Sequence, residues 1–93
     1  MPRFDIAHIR EQGQDIIIVP LESSFGHQSD LSQRQSIAEL QSHAIGAKLA
    51  GTVVPVWESG GRMMFIAPQP WHPYFKSLTM AAVGMMINKE LFW

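Results

Sequence analysis

The apolar positions fall into two kinds of run. In one kind β-branched and aromatic residues crowd together on either side of a polar turn; in the other they recur at helical spacing. The clearest of the first kind is Thr52 to Ile66. Thr52, Val53, Val54, Val56 and Trp57 precede Glu58, Ser59, Gly60 and Gly61, and Met63, Met64, Phe65 and Ile66 follow. The pattern predicts a β-hairpin with a glycine turn. Pro55 is the discordant residue, because it has no N–H for a sheet ladder and suits an edge, a bulge or a strand end. A second hairpin is predicted earlier, with Phe4, Ile6 and Ile9 in one strand, Glu11 to Gln14 as the turn, and Asp15 to Leu21 as the other strand. In the latter, Ile16, Ile17, Ile18 and Val19 are consecutive rather than alternating, which places the strand centrally with both faces covered. Pro20 marks its end.

Helical spacing begins after the polar stretch Glu22–Ser29. Asp30 with Gln33 has the form of a helix N-cap and its reciprocal partner, with Ser29 as a substitute if the boundary shifts. Ile37, Leu40, Ala44 and Ala47 then share one face, opposite Ser36, Glu39 and His43. Gly51 is read as the left-handed stop of this helix. After the second hairpin, Ala67-Pro-Gln-Pro-Trp-His-Pro73 predicts a stiff corner, since each proline fixes its own φ and restricts its predecessor. Trp71 is assigned to the core that this corner closes. A last helix is predicted from Pro73 to about Phe92, with Pro73 at its first position. It carries two apolar stripes on nearly opposite sides: Tyr74, Leu78, Ala81, Met85 and Phe92 on one, Met80, Val83, Ile87 and Leu91 on the other. One sheet covers only one stripe, so the expectation is a second covering surface, another copy of the chain.

Strand, helix, strand is a crossover, and it sets Ile16–Leu21 parallel to Thr52–Trp57. The expected fold is therefore α+β in two layers, in the order ββαββα. It has a mixed four-stranded sheet and both helices on one face, in a single α/β domain over 1–93.

Composition changes this picture in one respect. At 93 residues the chain has room for one modest core, burying roughly 60 to 65% of its unfolded surface. Its hydrophobic fraction of 46% is ordinary, but its charged fraction of 16% is below the usual value of about 25%. Fewer charges are left to cover the outside, which agrees with self-association. A net charge of −1 offers no basic footprint for nucleic acid. The absence of cysteine removes disulfides and thiolate chemistry and fits a reducing compartment. No secretory signal is read in the charged first dozen residues, so a cytoplasmic location is expected. Lys76, Asn88, Lys89 and Glu90 shorten the apolar C-terminal run below the length of a membrane span.

Candidate chemistry centres on the loop after the second strand. His27 lies just before a helix N-terminus, at the end of a strand in a parallel crossover, where ligands bind in many α/β sheets. Ser23, Ser24, Gln28 and Ser29 add hydrogen-bonding groups, and Glu58 and Arg62 of the second hairpin turn are expected to approach it. The set suits a small anion or a phosphorylated ligand. It has neither the glycine spacing of a phosphate loop nor a triad, and His27 with Asp30 falls short of a zinc ligand set. No catalytic residue, metal or cofactor is assigned. His43 is read as a solvated side chain, and His8 as one on an outer strand. The functional expectation is a small domain without enzymatic activity of its own, a homodimer by preference. It associates through Met80, Val83, Ile87 and Leu91 and binds another macromolecule, such as a protein; the alternative is a small enzyme or a protein binding an anion or phosphorylated ligand with the His27 loop.

Overall fold

The computed structural model describes residues 3–93. The strands are β1 (Arg3–Glu11), β2 (Gln14–Pro20), β3 (Thr52–Ser59), β4 (Arg62–Phe65) and β5 (Lys89–Phe92). The α-helices are α1 (Asp30–Gly46), α2 (His72–Lys76) and α3 (Met80–Met86). All five strands form one mixed sheet in the order β4-β3-β2-β1-β5. β2 and β3 are parallel, with Ile18 opposite Val54, and the other pairs are antiparallel. The expected crossover and both hairpins are present. Each hairpin turns over two residues at positive φ: Gln12 and Gly13 at 52° and 78°, Gly60 and Gly61 at 59° and 80°. Such turns match the twist of the flanking strands.

The four-stranded, two-layer expectation is corrected in two ways. First, helices cover both faces of the sheet. Ile16 and Ile18 join Ala7, Val54 and Val56 on one face, under Trp71, Phe75 of α2 and Val83 of α3. Ile17 and Val19 join Ile6, Val53 and Leu91 on the other, under Leu40 and Ala44 of α1. Four consecutive apolar residues in β2 require this, because alternate side chains point to opposite faces. Each such side chain contributes roughly 1.5–3 kcal/mol when fully buried, so leaving one face bare would forfeit several of them.

Second, the long last helix does not exist. α2 ends after Lys76, where Ser77 Oγ donates to the Tyr74 carbonyl at 2.6 Å. Thr79 is extended and caps α3, its hydroxyl accepting the Ala82 N–H at 3.1 Å. The chain leaves α3 at Ile87 and returns as β5, which pairs with β1 from Phe92 opposite Arg3 to Lys89 opposite Ile6. Each predicted stripe is therefore broken across elements: Met80 and Val83 fall in α3 and Leu91 in β5, while Ala81 and Met85 fall in α3 and Phe92 in β5. Val83 of α3 is 0% exposed on one face, and Leu91 of β5 is 2% exposed on the other. Among the described residues no helix is long and apolar enough to cross a membrane.

The first helix also ends earlier than Gly51. The left-handed residue after it is Lys48, at φ 63°. The Leu49 N–H bonds the Ala44 carbonyl and the Lys48 N–H the Ile45 carbonyl, the two bonds that close a Schellman motif. Gly51 serves a different end. At φ 124°, a Cβ there would lie 2.6 Å from the Asp15 carbonyl oxygen, so glycine lets the chain pass against β2 before entering β3.

Candidate functional site

β2 stops at Pro20, and the Leu21 N–H still reaches the Val56 carbonyl at 2.8 Å. The chain then enters a 3-10 turn, Ser23–His27, pinned by one buried side chain, Phe25. Its ring meets Trp57 edge-on with centroids 5.0 Å apart. Gly26 permits this contact, since a Cβ there would stand 2.4 Å from Trp57 Nε1. Gln33 Nε2 donates to the Phe25 carbonyl at 3.0 Å and ties the turn to α1. The N-cap of α1 is Ser29, whose hydroxyl accepts the Ser32 N–H at 3.1 Å.

The C-terminus approaches the same end of the molecule. Trp93 stacks on His43 of α1 with centroids 3.9 Å apart and planes 4° from parallel, and on Phe4 at 5.5 Å. His43 is thus held half-buried against an indole, which corrects its reading as a solvated side chain. β1 is interior to the sheet rather than outermost, and His8 Nε2 lies 2.8 Å from the Ala50 carbonyl oxygen. His72 is structural, its Nε2 within 2.8 Å of the Ala67 carbonyl oxygen and its ring edge-on to Phe65.

Where β1 begins and β2 stops, the sheet ends between its two helical layers and leaves a cleft of about 740 Å³. Phe4, Leu21, Phe25, Leu40, Ile87 and Trp93 supply its apolar lining. Ser24, Gln28 and Ser36 line it with hydrogen-bonding groups, Asp5, Glu22 and Glu39 with carboxylates, and Gly84 of α3 with bare backbone. The one guanidinium in the lining, that of Arg3, is paired with Glu90 at 2.6 Å. A second groove of about 710 Å³ runs beside β4 and the α2–α3 junction.

The seven residues expected to form one site do not share a cleft. Ser24 and Gln28 line the first cleft, Glu58 and Arg62 line the second, and Ser23, His27 and Ser29 line neither. All seven are exposed, and Ser29 is engaged as the α1 cap. Leu21, Leu40, Ile87 and Trp93 were not singled out as ligand-lining residues, because nothing in their spacing tells that α1, α3 and the C-terminus converge on one sheet end. Of the four residues assigned to an interface, Val83 and Leu91 are enclosed by their own chain, while Met80 and Ile87 are half-buried and line the first cleft. Among the described residues no group of three or more His, Asp or Glu side chains is placed to hold a metal ion. No protein-family model matches the chain, and no curated protein and no solved structure is significantly similar to it.

Proposed function

We propose that the protein is a binding domain for a small molecule with an apolar body, held in the cleft at the end of the sheet. One observation carries this: the cleft falls within the range of about 300–1,000 Å³ that small-molecule sites occupy. Its composition agrees. Leu21, Ile87 and Trp93 offer apolar surface whose burial by a ligand is favourable in proportion to area, at about 25 cal/mol per Å². Ser24, Gln28 and Ser36 offer a few orienting hydrogen bonds, as such sites require. The site lies at the carboxyl end of β2, one of the two parallel strands, where ligands bind in open sheets. The loop after β2 is retained from the expected site, with Ser24 and Gln28 kept, Glu22 added and His27 outside the cleft.

Gly84 supplies the test. A Cβ at this position meets nothing within 4 Å, so a larger side chain projects into free space. Gly84→Leu narrows the cleft at the wall that α3 supplies and replaces a poor helix former in α3 by a good one. Ligand-observed NMR against a library of small apolar molecules is expected to find binders for the native protein. Those binders are expected to lose affinity for Gly84→Leu while its melting temperature stays equal or rises. A library without a single binder, or binding unchanged in Gly84→Leu, overturns the proposal.

A further inference from the structure

The sheet ends in two edge strands: β5 carries Lys89 and Glu90, whereas β4 has no charge after Arg62. The backbone pairs of β3 and β4 alternate: the Ile66 N–H bonds the Pro55 carbonyl at 3.2 Å, and Met64 and Arg62 stand opposite Trp57 and Ser59. With a period of two along the strand, the N–H and C=O groups of Met63 and Phe65 point away from β3. β4 is the last strand in the sheet, so these groups lie on a free edge. Natural edges are blunted by proline, inward charge or a bulge. Between Met63 and Ile66 there is none of these. Instead Met64 and Ile66 are 43% and 37% exposed on the face that α1 covers elsewhere, and the second groove runs along the opposite face under Leu78.

We infer that β4 pairs antiparallel with β4 of a second copy of this chain, joining the two sheets across a two-fold axis. The backbone favours one kind of partner: a row of outward N–H and C=O groups at strand spacing is matched in series by another extended chain. The sequence of β4 suits itself. An axis at Met64 sets the Met63 N–H and C=O against those of Phe65 in the other copy, and the reverse. It also sets Arg62, the only charge in this stretch, opposite Ile66 rather than against a second arginine, avoiding a like-charge pair. Met64 and Ile66 of both copies then cover one another on the face left bare by α1. The groove beside β4 gives the side chains of the incoming strand room on the other face.

Two variants separate this seam from any other. Met63→Pro removes an outward donor while sparing the bonds to β3, the one orientation in which a strand tolerates proline. Met64→Lys adds an exposed edge charge. Size-exclusion chromatography with light scattering on the native protein is expected to give a mass that rises toward two chains with concentration. In both variants the dissociation constant is expected to rise about tenfold or more, with the melting temperature at low concentration little changed. If Met63→Pro fails to fold, Met64→Lys decides. A native protein that stays at one chain throughout overturns the inference, and so does a dimer that persists in a folded Met64→Lys. A native monomer whose Met63 and Phe65 amides shift only on adding an unrelated strand-forming peptide also overturns it, in favour of a foreign strand.

Discussion

Single residues place two constraints on this chain that their type alone does not announce. Gly51 and Gly26 both permit a close approach, one to the Asp15 backbone and one to the Trp57 indole. In the sequence, Gly51 was indistinguishable from a helix stop, because the stop and the close approach ask for the same residue. Tyr74 shows the other kind of constraint. Its phenol is raised above the ordinary value of 10.0, first by desolvation and then by the negative charge of Glu11. A raised acid favours the neutral form in the folded state. Its contribution to stability is therefore fully present below pH 10.0 and lost as pH rises through the raised value. Denaturant melts across this alkaline range are expected to show a decline that Tyr74→Phe reduces. Ultraviolet titration of Glu11→Gln is expected to show a smaller upward shift. An unchanged decline in Tyr74→Phe would assign it to other groups.

At the scale of elements, the strands are uneven in length, and side-chain amides finish the pairing. β4 does not reach the start of β3, so Val53 would lack a partner on that side. Gln41 of α1 accepts the Val53 N–H at 2.9 Å and donates to the Gly51 carbonyl at 3.0 Å. β5 does not reach His8, and there Asn88 acts the same way, accepting the His8 N–H at 2.8 Å and donating to its carbonyl at 2.9 Å. Pro55 sits at the last rung of this pairing: the Ile66 N–H, just past β4, bonds the Pro55 carbonyl at 3.2 Å, and only the return bond is missing. Replacing Asn88 by Ala removes two hydrogen bonds and is expected to cost roughly 1–3 kcal/mol, at about 0.5–1.5 kcal/mol each. It is also expected to speed hydrogen exchange at the His8 amide more than at Ile17, within the central strand β2. Equal protection before and after the change would show that β5 holds without the amide. Neither Gln41 nor Asn88 could be assigned this duty from sequence, since the partners lie at separations of 12 and 80 residues. The break at Ser77–Thr79 was closer to legible. A serine and a threonine flanking Leu78 are good cap residues, but the apolar run around them suggested one continuous helix.

For the whole molecule, the core was legible where the sequence is insistent. The run Ile16–Val19 called for cover on both faces, and the parallel pairing of β2 with β3 followed from the intervening helix. What the apolar C-terminal segment packs against was not legible, because periodicity records which residues need cover and not whether the chain bends to provide it. With α3 on one face and β5 beside β1, Val83 and Leu91 are buried by the chain itself while Met85 and Phe92 stay exposed, and the segment also forms one wall of the cleft. The residues that line this cleft come from both ends of the chain and from α1, so no local motif could have marked it. Its use as a binding site is tested most directly by amide chemical-shift mapping with a small apolar molecule that the protein retains. The expected result is a set of shifts confined to Leu21, Ser24, Ser36, Gly84 and the Trp93 indole. Shifts gathered instead along Met63–Ile66, or scattered without a centre, would contradict it.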